Sequence, residues 1–311
     1  MSMEGRTFSV EKGSVDVANV VAVVITYQPE LDVLRAVLRA TMPQVGATVL
    51  VDNGSDTDLA AWTRQQPFGS VTTIALGKNL GIAAAQNEGI RFARRRRAEY
   101  VLLLDQDSIP ERDMVKRLLA AVVALPHAAS VGPSYVDARQ RMPAPFLRVE
   151  GLRLRRCVCE REDAVVPTDH LIASGCLIPL SVIDLVGQMR EDLFIDYVDT
   201  EWGLRARRYG LQSYGVCGAI MQHSLGNDPI VILGRKFALH SPLRHYYRFR
   251  NAIILYRERW IPWNWKLVDG SRLLLRYGFY ALCAKPRRER FRMMTRGLIH
   301  GLMGRTGQYQ P

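Results

Sequence analysis

Tyr100-Val-Leu-Leu-Leu-Asp-Gln-Asp107 joins an apolar run directly to two carboxylates one residue apart. From Tyr100 to Leu104 no polar residue interrupts the run. Strands of parallel sheets, buried on both faces, read this way. Asp105 and Asp107 therefore stand at the C-terminal end of a strand. An Asp-x-Asp pair alone is common in solvated turns. Placed straight after a buried strand, the two carboxylates can converge on one hard cation through oxygen ligands.

The same pattern recurs toward the N-terminus. Val20-Val-Ala-Val-Val-Ile-Thr26 is a second uninterrupted run rich in β-branched residues, and Ala47-Thr-Val-Leu-Val51 a third, ending in the turn cluster Asp52-Asn-Gly-Ser55. Val71 to Leu76 makes another strand. Between them the apolar spacing predicts helices over Leu31 to Thr41, Asp58 to Gln66, Ile82 to Arg96 and Met114 to Leu125. Strand and helix alternate, which argues for an α/β fold with a mostly parallel sheet flanked by helices. Such sheets bind ligands beyond the C-terminal ends of their strands. Thr26-Tyr27, Asp52-Asn53 and Asp105-Gln106-Asp107 all fall there, and three polar clusters on one rim make a site.

Past Ala129 the alternation weakens. Ser130 to Val136 reads as a strand, Arg139 to Asp163 as a charged surface excursion, and Leu171 to Leu180 as a pair of strands. Val182 to Val186 and Thr200 to Tyr209 read as helices, the second opened by Asp199. Ser213 to Val216 and Ala219 to Gln222 read as short strands, and from Arg235 onward the pattern is helical, amphipathic and basic.

The charge is concentrated in that last part. Of the 42 Lys/Arg and 30 Asp/Glu, 17 and 3 lie from Gly234 onward, a net of +14 against −2 in the rest. A near-neutral body with a basic, aromatic-rich tail fits an anionic membrane surface at least as well as nucleic acid. His245 to Arg259 reads as a helix, broken by Trp260-Ile-Pro-Trp-Asn-Trp265, whose three tryptophans suit a headgroup boundary. The segment 245–300 either lies on a membrane or packs as plain helices. Leu267 to Ala284 is interrupted by Asp269, Arg272 and Arg276 and is a poor membrane-crossing candidate. The polar stretch Met1 to Asn19 has no apolar signal core. Five cysteines, an odd number with no Cys-x-x-Cys, predict no disulfide framework and no zinc site, hence a reducing, cytoplasmic setting.

Several segments together are more specific than any one. They are Val23-Val-Ile-Thr-Tyr27, Val51-Asp-Asn-Gly-Ser55, Asn79-Leu-Gly-Ile-Ala-Ala-Ala-Gln-Asn87, Leu104-Asp-Gln-Asp-Ser108, Ala173-Ser-Gly175 and Phe194-Ile-Asp-Tyr-Val-Asp-Thr-Glu-Trp202. In these the chain resembles family 2 glycosyltransferases of the GT-A fold, a Rossmann-like nucleotide-binding architecture, and in particular bacterial rhamnosyltransferases that use dTDP-L-rhamnose. The resemblance implies an N-terminal extension (1–19), a catalytic domain (20–233, donor half 20–128, acceptor half 129–233) and the helical basic region (234–311). It implies an inverting transfer from a nucleotide-sugar donor to a saccharide or lipid-linked saccharide acceptor, in synthesis of a cell-surface polysaccharide. The enzyme would sit on the cytoplasmic face of the inner membrane.

It also implies roles. Thr26 and Tyr27 would border the nucleoside and Asp52 would bond the base. Asn79, Gly81 and Asn87 would shape the donor pocket, with Asp105 on the ribose and sugar side. Asp107 would be the main ligand of Mg²⁺ or Mn²⁺, with His223 completing the metal or diphosphate site, and Asp199 would be the general base. Arg205 could contact phosphate. Each has a plainer reading. Asp52-Asn-Gly-Ser is an ordinary turn sequence, Gly81 a helix-start glycine, Asp199 a helix N-cap competing with Asp196 and Glu201 for the base role, His223 a structural histidine, and Arg205 an exposed helix residue.

Two other classes remain at this stage. A nucleotidyltransferase would also hold a metal on carboxylates, but residues 27–34 carry no Gly-rich phosphate loop. A polyanion-binding protein fits the pI of about 9.8 but gives no reason for acidic strand ends. No nucleic-acid partner is expected, and a homo-oligomer stays open.

Overall fold

The computed structural model describes residues 16–311 except 70, 137–142, 224–226, 233 and 234, and for 227–232 and 235–239 it describes backbone alone. The extension expected over 1–19 thus lies largely outside the described residues.

The first half follows the predicted alternation. In chain order it runs β1 (Val20–Thr26), α1 (Leu31–Thr41), β2 (Ala47–Asp52), α2 (Leu59–Arg64), β3 (Val71–Ala75), α3 (Ile82–Arg95), β4 (Tyr100–Asp105), β5 (Ser108–Pro110) and α4 (Met114–Ala124). The second half contains β6 (Ala128–Val136), β7 (Phe146–Glu150), β8 (Arg153–Cys157), β9 (Val165–Thr168), β10 (Cys176–Pro179), α5 (Leu180–Val186), α6 (Val198–Arg208) and β11 (Gln212–His223). A hairpin, β12 (Asn227–Ile232) and β13 (Arg235–Leu239), leads to α7 (Pro242–Arg257), α8 (Trp263–Cys283) and α9 (Arg287–Leu302).

The large sheet has the order β3-β2-β1-β4-β10-β6-β11-β5, with β9 also on β11. It is parallel from β3 to β4 and between β6 and β11, while β10, β9 and β5 run antiparallel. The apolar strands earn their uninterrupted composition by facing two cores. Val21, Val23, Ile25, Val101 and Leu103 join one cluster, with α3, α5 and α6. Val20, Ala22, Val24, Leu102 and Leu104 join the other, with α1 and α4. Alternate side chains point to opposite faces, so both sets must be apolar. Helix α3 lies so close that a Cβ on Gly89 would come within 2.0 Å of Val23 Cγ1.

Several readings of the second half need correction. Leu171 to Leu180 contains one strand (β10, from Cys176) and a helix start, since Leu180 begins α5. The two short strands expected over 213–222 are the single β11, bent where its register against β6 shifts between Val216 and Ile220. The surface excursion contains the β7–β8 hairpin. The region after Arg235 opens with a strand before it turns helical. Asp199 does not cap α6, because the N-cap is Tyr197 and Asp199 sits in the first turn.

One disulfide, Cys159–Cys217, also contradicts the expectation drawn from cysteine number. The antiparallel pairing of β9 with β11 sets Val165 beside Val216 and so draws the two chain segments together. Spacing in sequence carries no trace of that crossing. Cys157, Cys176 and Cys283 are free.

Among the described residues no helix is long and apolar enough to cross a membrane. The C-terminal helices are packed into the protein. Trp265 and Val268 of α8 join the main core, α9 packs along α7, and Arg250 of α7 is fully buried. Of the three tryptophans read as a headgroup belt, Trp263 is exposed, Trp260 is half-buried and Trp265 is 5% exposed.

Candidate active site

Parallel pairing sets the strand ends level, with Thr26 beside Asp52 and Ile25 beside Asp105. A cleft of about 680 Å³ opens above this edge. Asp105, Asp107 and His223 face one another there, each offering a ligand atom within 4.8 Å of the others. His223 arrives from the end of β11, whose antiparallel pairing with β5 places it opposite Ser108. Its Nδ1 lies 3.4 Å from Asp107 Oδ1 and 2.7 Å from Ser108 Oγ. Ser174 extends the network, donating its hydroxyl to Ser108 Oγ at 2.5 Å and accepting the Asp105 amide at 2.9 Å. Burial pushes the Asp105 carboxyl up to about 6, opposed by His223 and assisted by Asp107. A crowded pair of carboxylates with an imidazole is a donor set that suits a divalent cation, whose charge would relieve that penalty.

Tyr27, Asn79 and Gly81 line the same cleft. The Tyr27 amide donates to Gln106 Oε1 at 2.8 Å, which ties β1's end to the Asp-Gln-Asp segment. Asn79 Oδ1 accepts from Asn53 Nδ2 at 3.1 Å and from the Gly81 amide at 3.0 Å. Gly81 has φ 92°, and a Cβ there would meet the Phe194 carbonyl oxygen at 2.6 Å, so only glycine serves.

Four expected site residues are not in the cleft lining. Thr26 is fully buried, its hydroxyl donating to the Val51 carbonyl. Asp52 is tied to its turn through one oxygen, Oδ1, which accepts from Ser55 Oγ at 2.6 Å and from the Ser55 amide at 3.1 Å. Asn87 lies beneath the site, donating to the Met189 carbonyl and Glu191 and accepting from the Met189 amide. Arg205 is tied to Glu201 and to the Val186 and Gln188 carbonyls. For Thr26, Asn87 and Arg205, protein groups take up the polar atoms, while the turn at Asp52 takes one of its two carboxylate oxygens.

Asp199 does face the cleft, and its two rivals are engaged. Asp196 lies between Arg244 at 3.2 Å and Arg248 at 3.3 Å. Burial works to raise its carboxyl, but the two guanidinium groups outweigh burial and hold it below the usual range. Glu201 pairs with Arg205 at 2.9 Å. Asp199 has no ion pair among the described residues; its Oδ1 accepts the Thr200 amide.

The loop before Asp199 is strained, with positive φ at Phe194 (65°), Asp196 (63°) and Tyr197 (64°). It is held from α7. Asn251 Nδ2 donates to the carbonyls of Leu193, Ile195 and Asp196 at 2.8 to 2.9 Å. Arg250 donates to the Leu193 carbonyl at 2.9 Å while stacked over Tyr246 and Tyr247. The tail is thus part of the site. Its Arg244, Arg248, Arg272 and Arg276 line the cleft, which the sequence reading missed. The available signal was their spacing, two pairs each one helical turn apart.

The family model for glycosyl transferase family 2 matches residues 22–178. The chain is 32% identical, over 93% of its length and 97% of the other's, to a dTDP-rhamnosyl transferase, RfbF, of Shigella flexneri. It is 22% identical over 92% of both chains to a low-salt glycan biosynthesis hexosyltransferase of Haloferax volcanii. Among solved structures it is similar in fold to GalNAc-T7 crystallised with UDP, GalNAc and Mn²⁺ (TM-score 0.61, 12% identity, 91% of this chain and 56% of that one). Residues 1–349 of S. aureus TarS share the fold at a TM-score of 0.51 and 15% identity, over 91% of this chain and 80% of that one. The family match spans β1 through β10, both acidic strand ends included, and the likeness to RfbF runs the length of the chain: this protein belongs to glycosyltransferase family 2.

Proposed function

We propose that this glycosyltransferase moves L-rhamnose from dTDP-L-rhamnose, with inversion, to a saccharide or lipid-linked saccharide acceptor during synthesis of a cell-surface polysaccharide. The observation that carries the donor is the 32% identity, over 93% of the chain, to a protein named for dTDP-rhamnosyl transfer. Family membership leaves the nucleotidyltransferase and polyanion-binding readings without support.

In this reading Tyr27 borders the nucleoside, and Asn79 and Gly81 shape the donor pocket. Asp107 and His223 hold Mg²⁺ or Mn²⁺, with Asp105 beside them on the sugar side. Bound there, the cation supplies charge neutralisation for the departing diphosphate. Asp199 accepts the proton of the acceptor hydroxyl as that oxygen attacks the anomeric carbon, and the C–O bond to dTDP breaks with its electron pair. The leaving group needs no protonation, so a second acidic carboxyl has no task. What supports Asp199 over its neighbours is commitment: Asp196 and Glu201 are paired with arginines, and Asp199 is not. Peripheral attachment to a membrane surface is supported by leucines exposed along α8.

The test is a donor panel. Purified protein, an acceptor extract and each of several nucleotide sugars are incubated with Mg²⁺, Mn²⁺ or EDTA, and nucleoside diphosphate release is measured. Release from dTDP-L-rhamnose that EDTA abolishes is expected. Preference for another nucleotide sugar overturns the donor, and full release in EDTA overturns the metal.

A further inference from the structure

Arg272 and Arg276 lie one turn apart on α8 and both line the cleft. Their situation differs from that of the other two cleft arginines, both of which pair with Asp196. Among the described residues neither Arg272 nor Arg276 has an ion pair or a side-chain hydrogen bond. The carboxylate that could serve Arg272, Asp269, is otherwise engaged: its Oδ2 accepts from Tyr197 at 2.7 Å and from Tyr256 at 2.6 Å. Burial holds the Arg272 guanidinium below the usual arginine range, and the charge of Arg276 works the same way, with the Asp269 carboxylate opposing both only in part. Two half-buried guanidinium groups side by side, with no protein anion between them, are arranged for an anion from outside, and their fork geometry fits phosphate oxygens.

The opposite side of the helix indicates what carries that phosphate. Leu267, Leu274, Leu275 and Leu282 are 56%, 73%, 74% and 71% exposed, spaced along one face of α8. One helix thus offers cations to the cleft and an apolar stripe outward, with Lys285, Arg287 and Arg288 exposed just beyond its end. An amphiphile with a phosphate head and a hydrocarbon tail matches both faces.

We propose that Arg272 and Arg276 form a phosphate subsite for the acceptor, and that this acceptor is a lipid-linked saccharide whose phosphate group lies between the two guanidiniums. The assignment rests on the acceptor reading above and specifies it.

Binding separates this subsite from the donor site. Farnesyl diphosphate and inorganic pyrophosphate serve as probes, titrated by calorimetry in metal-free buffer against the full chain, Arg272→Gln, Arg276→Gln and the double variant. The double variant is expected to bind farnesyl diphosphate at least about ten-fold more weakly, given what charged hydrogen bonds contribute, with its melting temperature and its affinity for dTDP with Mg²⁺ unchanged. The unaltered protein is expected to bind farnesyl diphosphate more tightly than pyrophosphate, and to keep that binding when saturated with dTDP and Mg²⁺. Unchanged farnesyl diphosphate binding in the double variant overturns the subsite. Displacement by dTDP, or an equal loss of dTDP binding, assigns the arginines to the donor and overturns it too. Equal affinity for the two probes overturns the lipid. None of these readings depends on which sugar is transferred, so a wrong donor leaves them intact.

Discussion

The rim formed by β1, β2 and β4 and the loop from Phe194 to Asp199 contribute to one cleft by opposite means. On the rim, site residues come off strand ends whose level is set by parallel pairing, and Tyr27, Asp105 and Asp107 themselves have no positive φ, which is left to Gln28, Gly54 and Gly81 beside them. At the loop, Asp199 is presented by three residues of positive φ, held by side chains from a helix some fifty residues further along the chain. Strain of order 1–3 kcal/mol per residue persists only where surroundings impose it. The rim should therefore tolerate loss of the tail contacts in its nucleotide-binding capacity, while presentation of Asp199 should not.

Asp199→Asn tests the end point of that contrast and has the largest expected effect. Transfer should fall by about 10²–10⁴-fold, the usual contribution of a general base, with donor affinity by calorimetry near normal. Full activity in this variant would remove Asp199 from the base role. Asn251→Ala comes next. It strips three carbonyls of the loop of a donor, and should cost about 2–3 kcal/mol in denaturant unfolding and lower kcat more than it weakens dTDP binding. An equal loss in both would mean the two regions are not separable.

Reduction of Cys159–Cys217 should lower the melting transition, at a cost of about 2–4 kcal/mol for a loop of this kind. Because the bridge joins the β8–β9 connection to β11 and not the rim, dTDP binding should survive reduction. The smallest effect is expected for Thr26→Val. It removes one buried hydroxyl that donates to the Val51 carbonyl. Stability should fall by about 1 kcal/mol, with no change in dTDP affinity; a clear loss of affinity would return Thr26 to the donor site.

The readings that survived share a cause. β1, β2 and β4 were legible because a strand covered on both faces must be apolar throughout, and that shows in any window of the chain. Asp105 and Asp107 were legible because they follow such a strand without a gap. Asp52 was ambiguous for the converse reason: its Asx turn with Ser55 is local, and the sequence of a turn that binds a ligand is the same as that of one that binds itself. Arg205 and Asn87 lie outside the cleft lining for a different reason. Their partners, the carbonyls of Val186 and Met189, are backbone groups from elsewhere in the chain, which no residue type advertises.

By itself the amino-acid sequence determined the α/β alternation, the strand ends that carry carboxylates and the family to which those segments are similar, because each depends on residues adjacent in the chain. Only the tertiary structure decided which of three neighbouring carboxylates is left without a cation, which cysteines meet, and that arginines of the basic tail face the cleft. Those outcomes depend on which distant groups a side chain reaches first. Which buried charge or thiol finds a partner is settled by what the crossing of the chain puts beside it.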